Sequence, residues 1–164
     1  MHIPLTSMEQ LVPFPTAQEL LTKKKEPVVS APPDMIVVEA VKLMVEKDMR
    51  FLLVIENGAL AGVVSERDCA RRVILGQLAA DRTLVRDIMA TDVSSVPPES
   101  KIPECITIMY QKDVGYLPVM RGKDVIGVLS VRELMGALIE RHERLLRRLA
   151  EERLTLLYPD PTSY

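Results

Sequence analysis

The stretch GVVSERD at residues 62–68 returns as GVLSVRE at 127–133, 65 residues further on. The same register holds without a gap from Val28 to Ile74. It lays VVSAPPDMIVVEAVKLMVEKDMRFLLVIENGALAGVVSERD over VSSVPPESKIPECITIMYQKDVGYLPVMRGKDVIGVLSVRE. Glu39/Glu104, Met44/Met109, Leu52/Leu117, Val54/Val119, Gly62/Gly127, Ser65/Ser130 and Arg67/Arg132 match, as do the Pro-Pro and Lys-Asp pairs. Such self-similarity marks a duplication, so whatever one copy folds into the other must also fold into.

Each copy carries the same signals. A short strand (Val28–Ala31, Val93–Val96) should stop at a Pro-Pro turn, where ladder donors are missing. A helix follows, with Val37, Val41, Met44 and Val45 on one face and Ile102, Ile106, Met109 and Tyr110 on its counterpart. Pro103 suits the first helical position, where its absent N–H has no partner to lose. The apolar runs RFLLVI and GYLPVM read as strands buried on both faces. ENG at 56–58 and RGKD at 121–124 then turn the chain, Asn57-Gly58 being a hairpin signal. A second strand (Leu60–Val64, Val125–Leu129) ends at the serine motif, where a second helix begins. Each copy is therefore β-α-β-β-α, too small to bury its sheet alone. The expected fold is mixed α+β, two such repeats related by a pseudo-twofold axis and sharing one core. The chain divides into an N-terminal extension (1–18), repeat 1 (19–80), repeat 2 (81–140) and a helical tail (141–164).

The 48% apolar content supplies that core, and with 4% aromatics and no Trp it must be aliphatic. A net charge of −2 argues against general binding of nucleic acid or anionic membrane. No apolar run approaches the roughly 20 residues of a membrane span, and the N-terminus lacks the pattern of a signal peptide. The chain reads as soluble and cytoplasmic. Cys69 and Cys105 sit in apolar helical patterns as reduced core thiols. His2 and His142 have no companions at metal spacing, so no metal site is assigned.

Ser65-x-x-Asp68 and Ser130-x-x-Glu133 admit two readings. Each fits a helix cap, the serine accepting a backbone N–H and the acid bonding back. Each also fits a ligand site, the carboxylate accepting ribose hydroxyls and the helix start facing a phosphate. Gly62 favours the second reading, because a glycine there lets backbone approach closely. Arg67 and Arg71, four apart, share a helical face with Arg72 beside them, either as a solvated basic surface or as phosphate charge. Leu134, Leu138, Leu145 and Leu149 keep apolar spacing along the final helix. It either lies on its own core or packs on a partner subunit, with Leu145, Leu146 and Leu149 buried between subunits and Arg147, Arg148, Glu151 and Glu152 at the rim.

The duplicated pattern, over roughly residues 15–145, resembles a tandem pair of cystathionine-β-synthase (CBS) domains, a Bateman module, and most resembles small stand-alone bacterial examples. The resemblance implies binding of an adenosine nucleotide (AMP, ADP or ATP, with NAD(H) or S-adenosylmethionine as variants) in clefts between repeats. It also implies homodimers and an energy-sensing, regulatory role toward a protein target. By the same resemblance, a first cleft would use Val63, Ser65, Arg67 and Asp68 with Met89, Ser94, Ser95, Val114, Gly115, Tyr116 and Pro118. Asp68 would hold the ribose, and Val63 and Val114 the adenine. A second, weaker cleft would use Val128, Ser130, Arg132 and Glu133 with Lys24, Val29, Ser30, Met49, Arg50 and Phe51. Glu133 stands where the family has aspartate, and its extra methylene pushes the carboxylate about 1.5 Å into the ribose space. The alternative is a structural, dimerising module whose motifs are only caps. No triad, metal cluster or paired carboxylates point to an enzyme.

Overall fold

In the computed structural model, residues 10–157 are described, and they fall into two compact units. One comprises residues 26–95 and 118–128; the other takes the remainder, including both chain ends. The boundary does not follow the sequence repeat.

In the first unit, β1 (Ser30–Ala31) runs parallel to β2 (Phe51–Glu56), which pairs antiparallel with β3 (Ala59–Ser65). The crossover between β1 and β2 is α2 (Val37–Glu46); α1 is Ala17–Lys24, in the other unit. The β2–β3 turn has φ of 51° at Asn57 and 79° at Gly58, the double left-handed turn that an Asn-Gly pair permits. Leu52, Leu53 and Val54 are all buried, so β2 is covered on both faces. Around it pack Ala31, Val37, Ala40, Met44, Val64, Cys69, Val73, Val85 and Ile88.

The start of the serine-motif helix is one α-turn, α3 (Glu66–Asp68), which passes into a π-helical stretch over Cys69–Ile74. N–H groups of Leu75 and Leu78 reach five residues back to Ala70 and Val73. The wider turn shifts the phase of the face expected for Arg67 and Arg71, and both residues are exposed. Gly76 closes it, because a Cβ there would lie 2.1 Å from the carbonyl oxygen of Arg72. The connector between repeats is built into the unit. N–H groups of Val85 and Arg86 bond to Met35 and Pro33 carbonyls, and α4 (Val85–Ile88) buries two side chains.

In the second copy α5 (Ile102–Lys112) is followed by β4 (Tyr116–Arg121), β5 (Asp124–Ser130) and α6 (Val131–Leu157). β2 and β4, and likewise β3 and β5, are displaced by the same 65 residues, so the duplication persists in the element boundaries. Asp48 and Asp113 both stand in the left-handed region after their helices (φ 51° and 50°), which is why a short polar residue follows each lysine. The expected strand over Val93–Val96 reduces to a bridge at Val96, and that over Val28–Ala31 to its last two residues. In each, the residues that still pair are those directly before the proline pair, which ends the ladder there, and the leading residues do not pair.

The unit holding both chain ends contains an element absent from the sequence reading, α1. Its signal was present in Thr16-x-x-Glu19, a capping box with Thr16 N–H donating to Glu19 Oε2 at 2.7 Å. The start of α1 is bound to the second repeat. Ala17 N–H donates to the Ser100 carbonyl at 2.8 Å and Gln18 N–H to that of Pro98 at 2.9 Å. The helix α6 lies on its own unit: Leu134, Ala137, Arg141 and Leu145 are buried along one face. The expectation that Leu145 waits for a partner subunit is thereby corrected. Arg148, expected at a solvated rim, donates to the Leu11 carbonyl, and Arg141 stacks 3.6 Å from the Phe14 ring centroid. Cys69 and Cys105 are buried free thiols, and burial pushes Cys105 up to about 11.

Candidate functional site

Both serine-acid motifs stand at a strand end that turns into a helix. In the first, Ser65 Oγ accepts the Asp68 N–H at 3.2 Å, while Ser65 N–H and Oγ–H donate to Asp68 Oδ2 at 2.9 and 2.6 Å. The second repeats this geometry, Ser130 N–H and Oγ–H donating to Glu133 Oε2 at 2.7 Å each. Both are closed capping boxes, so the structural half of the sequence reading is realised in each copy.

They differ at the other carboxylate oxygen. Among the described residues Asp68 Oδ1 has no partner, and Asp68 is half-buried at the end of α3, one turn beyond β3. Glu133 Oε1 is 2.8 Å from Lys24 Nζ. Burial pushes the Glu133 carboxyl up, but the hydrogen bonds from Lys24 and Ser130 outweigh it and hold it below the usual range. Lys24, expected to serve a ligand, pairs with the acid of the same motif instead.

Gly62 has a reason other than a ligand. A Cβ there would come within 2.7 Å of the Ala90 carbonyl oxygen and 2.9 Å of Met89 Sδ. Val63 and Ala90 exchange backbone hydrogen bonds of 2.9 and 2.8 Å across that contact. The close approach inferred from the glycine is made by the chain's own connector, which brings Met89 beside the motif. Val63 itself is 1% exposed, its side chain being part of the packed interior.

The remaining first-cleft residues divide between the units. Ser65, Arg67, Asp68, Met89, Ser94, Ser95 and Pro118 belong with Val63, whereas Val114, Gly115 and Tyr116 belong to the other unit. Pro118 is buried, while Ser94 is half-buried and Ser95 exposed. Of the second-cleft set, Lys24, Ser130, Arg132 and Glu133 share one unit, and Val29, Ser30, Met49, Arg50, Phe51 and Val128 the other. Strand register sets Phe51 opposite Ser65, and Glu66 N–H donates to the Arg50 carbonyl at 3.0 Å. Arg50 and Phe51 thus stand at the mouth of the first motif, an adjacency the hairpin dictates. The equivalent bond, Val131 N–H to Gly115, measures 2.9 Å in the other copy.

A family model for the CBS domain matches residues 17–75 and 85–140, one copy on each sequence repeat. The chain belongs to the CBS-domain family. The mitochondrial CBS domain-containing protein CBSX3 of Arabidopsis thaliana is 32% identical over 121 residues, covering 71% of this chain and 59% of that protein. The chain thus spans about three fifths of the length of this curated relative. A putative signal-transduction protein with CBS domains from Burkholderia ambifaria is 33% identical, covering 77% of this chain and 95% of that one, at a TM-score of 0.72. The CBS domain pair of protein MJ0100, solved with 5′-methylthioadenosine and S-adenosyl-L-methionine, shares the fold at a TM-score of 0.69 and 16% identity. It covers 79% of this chain and 99% of that one. Among the described residues no helix is long and apolar enough to cross a membrane.

Proposed function

We propose that this CBS pair is a regulatory module that binds an adenosine nucleotide on the Ser65–Asp68 motif. The observation that carries the reading is the unpartnered Asp68 Oδ1, an acceptor held one turn beyond a strand end by a carboxylate whose other oxygen is fixed in the cap. A carboxylate so fixed accepts vicinal ribose hydroxyls without ordering cost. Arg50, Arg67, Arg71 and Arg72 supply charge for the phosphate in the same unit. Met89, Ser94 and Ser95 are the further contacts offered by that unit, and the adenosine-type ligands of MJ0100 support the ligand class. The second motif is the weaker site, its acid being neutralised by Lys24.

Calorimetric titration with AMP tests the proposal. Asp68→Ala should weaken binding at least about tenfold, the scale of losing charge-assisted bonds worth about 1.5–3 kcal/mol. Asp87→Ala removes a comparable acid, one that accepts the Leu84 N–H at 3.1 Å at the start of α4, and should leave the affinity unchanged. Unchanged affinity in Asp68→Ala would refute the assignment. A wild-type titration without heat would instead support a dimerising module whose serine motifs are caps alone, the reading that the closed boxes and the Gly62 contact favour.

A further inference from the structure

A cavity of about 480 Å³, lined by no residue of either serine motif, opens between the segment entering α1 and the distal half of α6, within one unit. Its volume falls in the range of roughly 300–1,000 Å³ typical of small-molecule sites, and is too small for a folded partner. One wall is apolar, formed by the run Leu11–Pro15, whose two prolines have no N–H to satisfy. The opposite wall is a helix face that presents Arg144, Arg147 and Arg148, with Lys23 contributed by α1.

The charges on these walls do not cancel. Among the described residues four cationic side chains and two acids, Glu19 and Glu151, line the cavity, and one of the cations, Lys23, lies 3.6 Å from Glu140 Oε2. Glu19 is already committed to the Thr16 backbone and hydroxyl. Arg148 is anchored on the Leu11 carbonyl, which holds the two walls in register. Among the described residues no hydrogen bond or ion pair engages Arg144 or Arg147, three apart on the same helix. Behind the apolar wall a further guanidinium, that of Arg141, is 8% exposed against Phe14, and among the described residues its Nε has no hydrogen-bond partner and no carboxylate pairs with it. A buried cation without a counter-ion raises the positive potential of the cavity it borders.

We propose that this cavity is a second ligand site, for a small phosphate monoester carrying an apolar body. The guanidinium groups of Arg144 and Arg147 match the charge of a phosphate dianion, and their paired forks match its oxygens. The Leu11–Pro15 wall takes the apolar part. The site joins the Leu11–Pro15 segment to the distal half of α6, so its occupancy would fasten these two segments together.

Fluorescence titration of the full chain with 1-naphthyl phosphate tests this, with 1-naphthol and inorganic phosphate as probes of each half alone. Saturable one-to-one binding is expected, with each half-probe at least about tenfold weaker, since neither meets both walls. Arg144→Ala combined with Arg147→Ala should weaken 1-naphthyl phosphate about tenfold or more, while Asp68→Ala leaves it unchanged. Both arginines are exposed, and far-UV circular dichroism checks that the double variant keeps the fold. Absence of saturable binding, or equal binding by 1-naphthol, would overturn the site from the wild-type protein alone. Unchanged binding in the double variant would overturn it too. Loss in Asp68→Ala would place the probe at the serine motif, which refutes this proposal while leaving the first intact.

Discussion

Glu133 stands where the repeat has Asp68, and the extra methylene changes what the acid does. The family resemblance implied that it would crowd a ribose. In the structure it gives the side chain enough reach to keep Oε2 in the cap while Oε1 meets Lys24. The consequence is a pH dependence. A carboxyl held below its unfolded value contributes stability above the unfolded pKa and loses it as pH falls through the folded one. Lys24→Met removes one of the hydrogen bonds that hold Glu133 down, so its pKa should rise. Urea unfolding should show the variant less stable at neutral pH by up to about 1 kcal/mol, the range for partly solvated pairs. The deficit should shrink as the pH is lowered through the carboxylate range. A deficit constant from pH 7 to pH 3 would mean that Lys24 acts by packing its stem and not by its charge.

At the scale of the elements, two glycines make opposite predictions from the same substitution. Gly62→Ala drives a Cβ into the Ala90 carbonyl, so β3 or the connector must shift, and overpacking of this kind costs about 1–3 kcal/mol. Gly136→Ala meets nothing within 4 Å on the exposed side of α6 and should stabilise by about 1 kcal/mol through helix propensity. Thermal unfolding of the two variants checks both signs, and a neutral Gly62→Ala would show that the Val63–Ala90 bridge yields easily. These cases also mark what the sequence revealed. The hairpins, the helix between them and the serine caps rest on local signals, Asn57-Gly58 and Ser-x-x-acid among them, which is why their boundaries follow from the repeat. Gly62 was recognised as a close approach, but its partner is 27–28 residues away and no periodicity points to it. The π-helical turn after Asp68 depends on a backbone contact sealed by Gly76, and apolar spacing alone reads as an ordinary α-helix. The Lys24–Glu133 pair joins residues over a hundred positions apart, and only the folded chain brings them together.

For the molecule as a whole, α6 decides which surface remains for another copy. Its buried face, Leu134, Ala137, Arg141 and Leu145, is already covered by the chain itself. Val131, Met135, Ile139 and Leu146 recur at four- and seven-residue spacing on a different face, and all are exposed. An apolar stripe of that length, broken by His142 and Glu143 between Ile139 and Leu146, is uncommon on a monomer and fits an isologous contact, the same stripe meeting itself across a twofold axis. We infer that self-association uses this stripe and leaves Leu145 to the fold of the single chain. The two leucines then separate stability from assembly. Leu145→Ala empties a buried position and should lower unfolding stability by about 2–5 kcal/mol. Leu146→Asp touches an exposed site, should change stability by no more than about 0.5 kcal/mol, and places like charges against each other at the twofold contact. Urea denaturation measures the first effect and sedimentation velocity at micromolar concentration the second. A Leu146→Asp protein that sediments as the wild type does would remove the stripe from the interface, and the contact between copies would then have to lie on other elements.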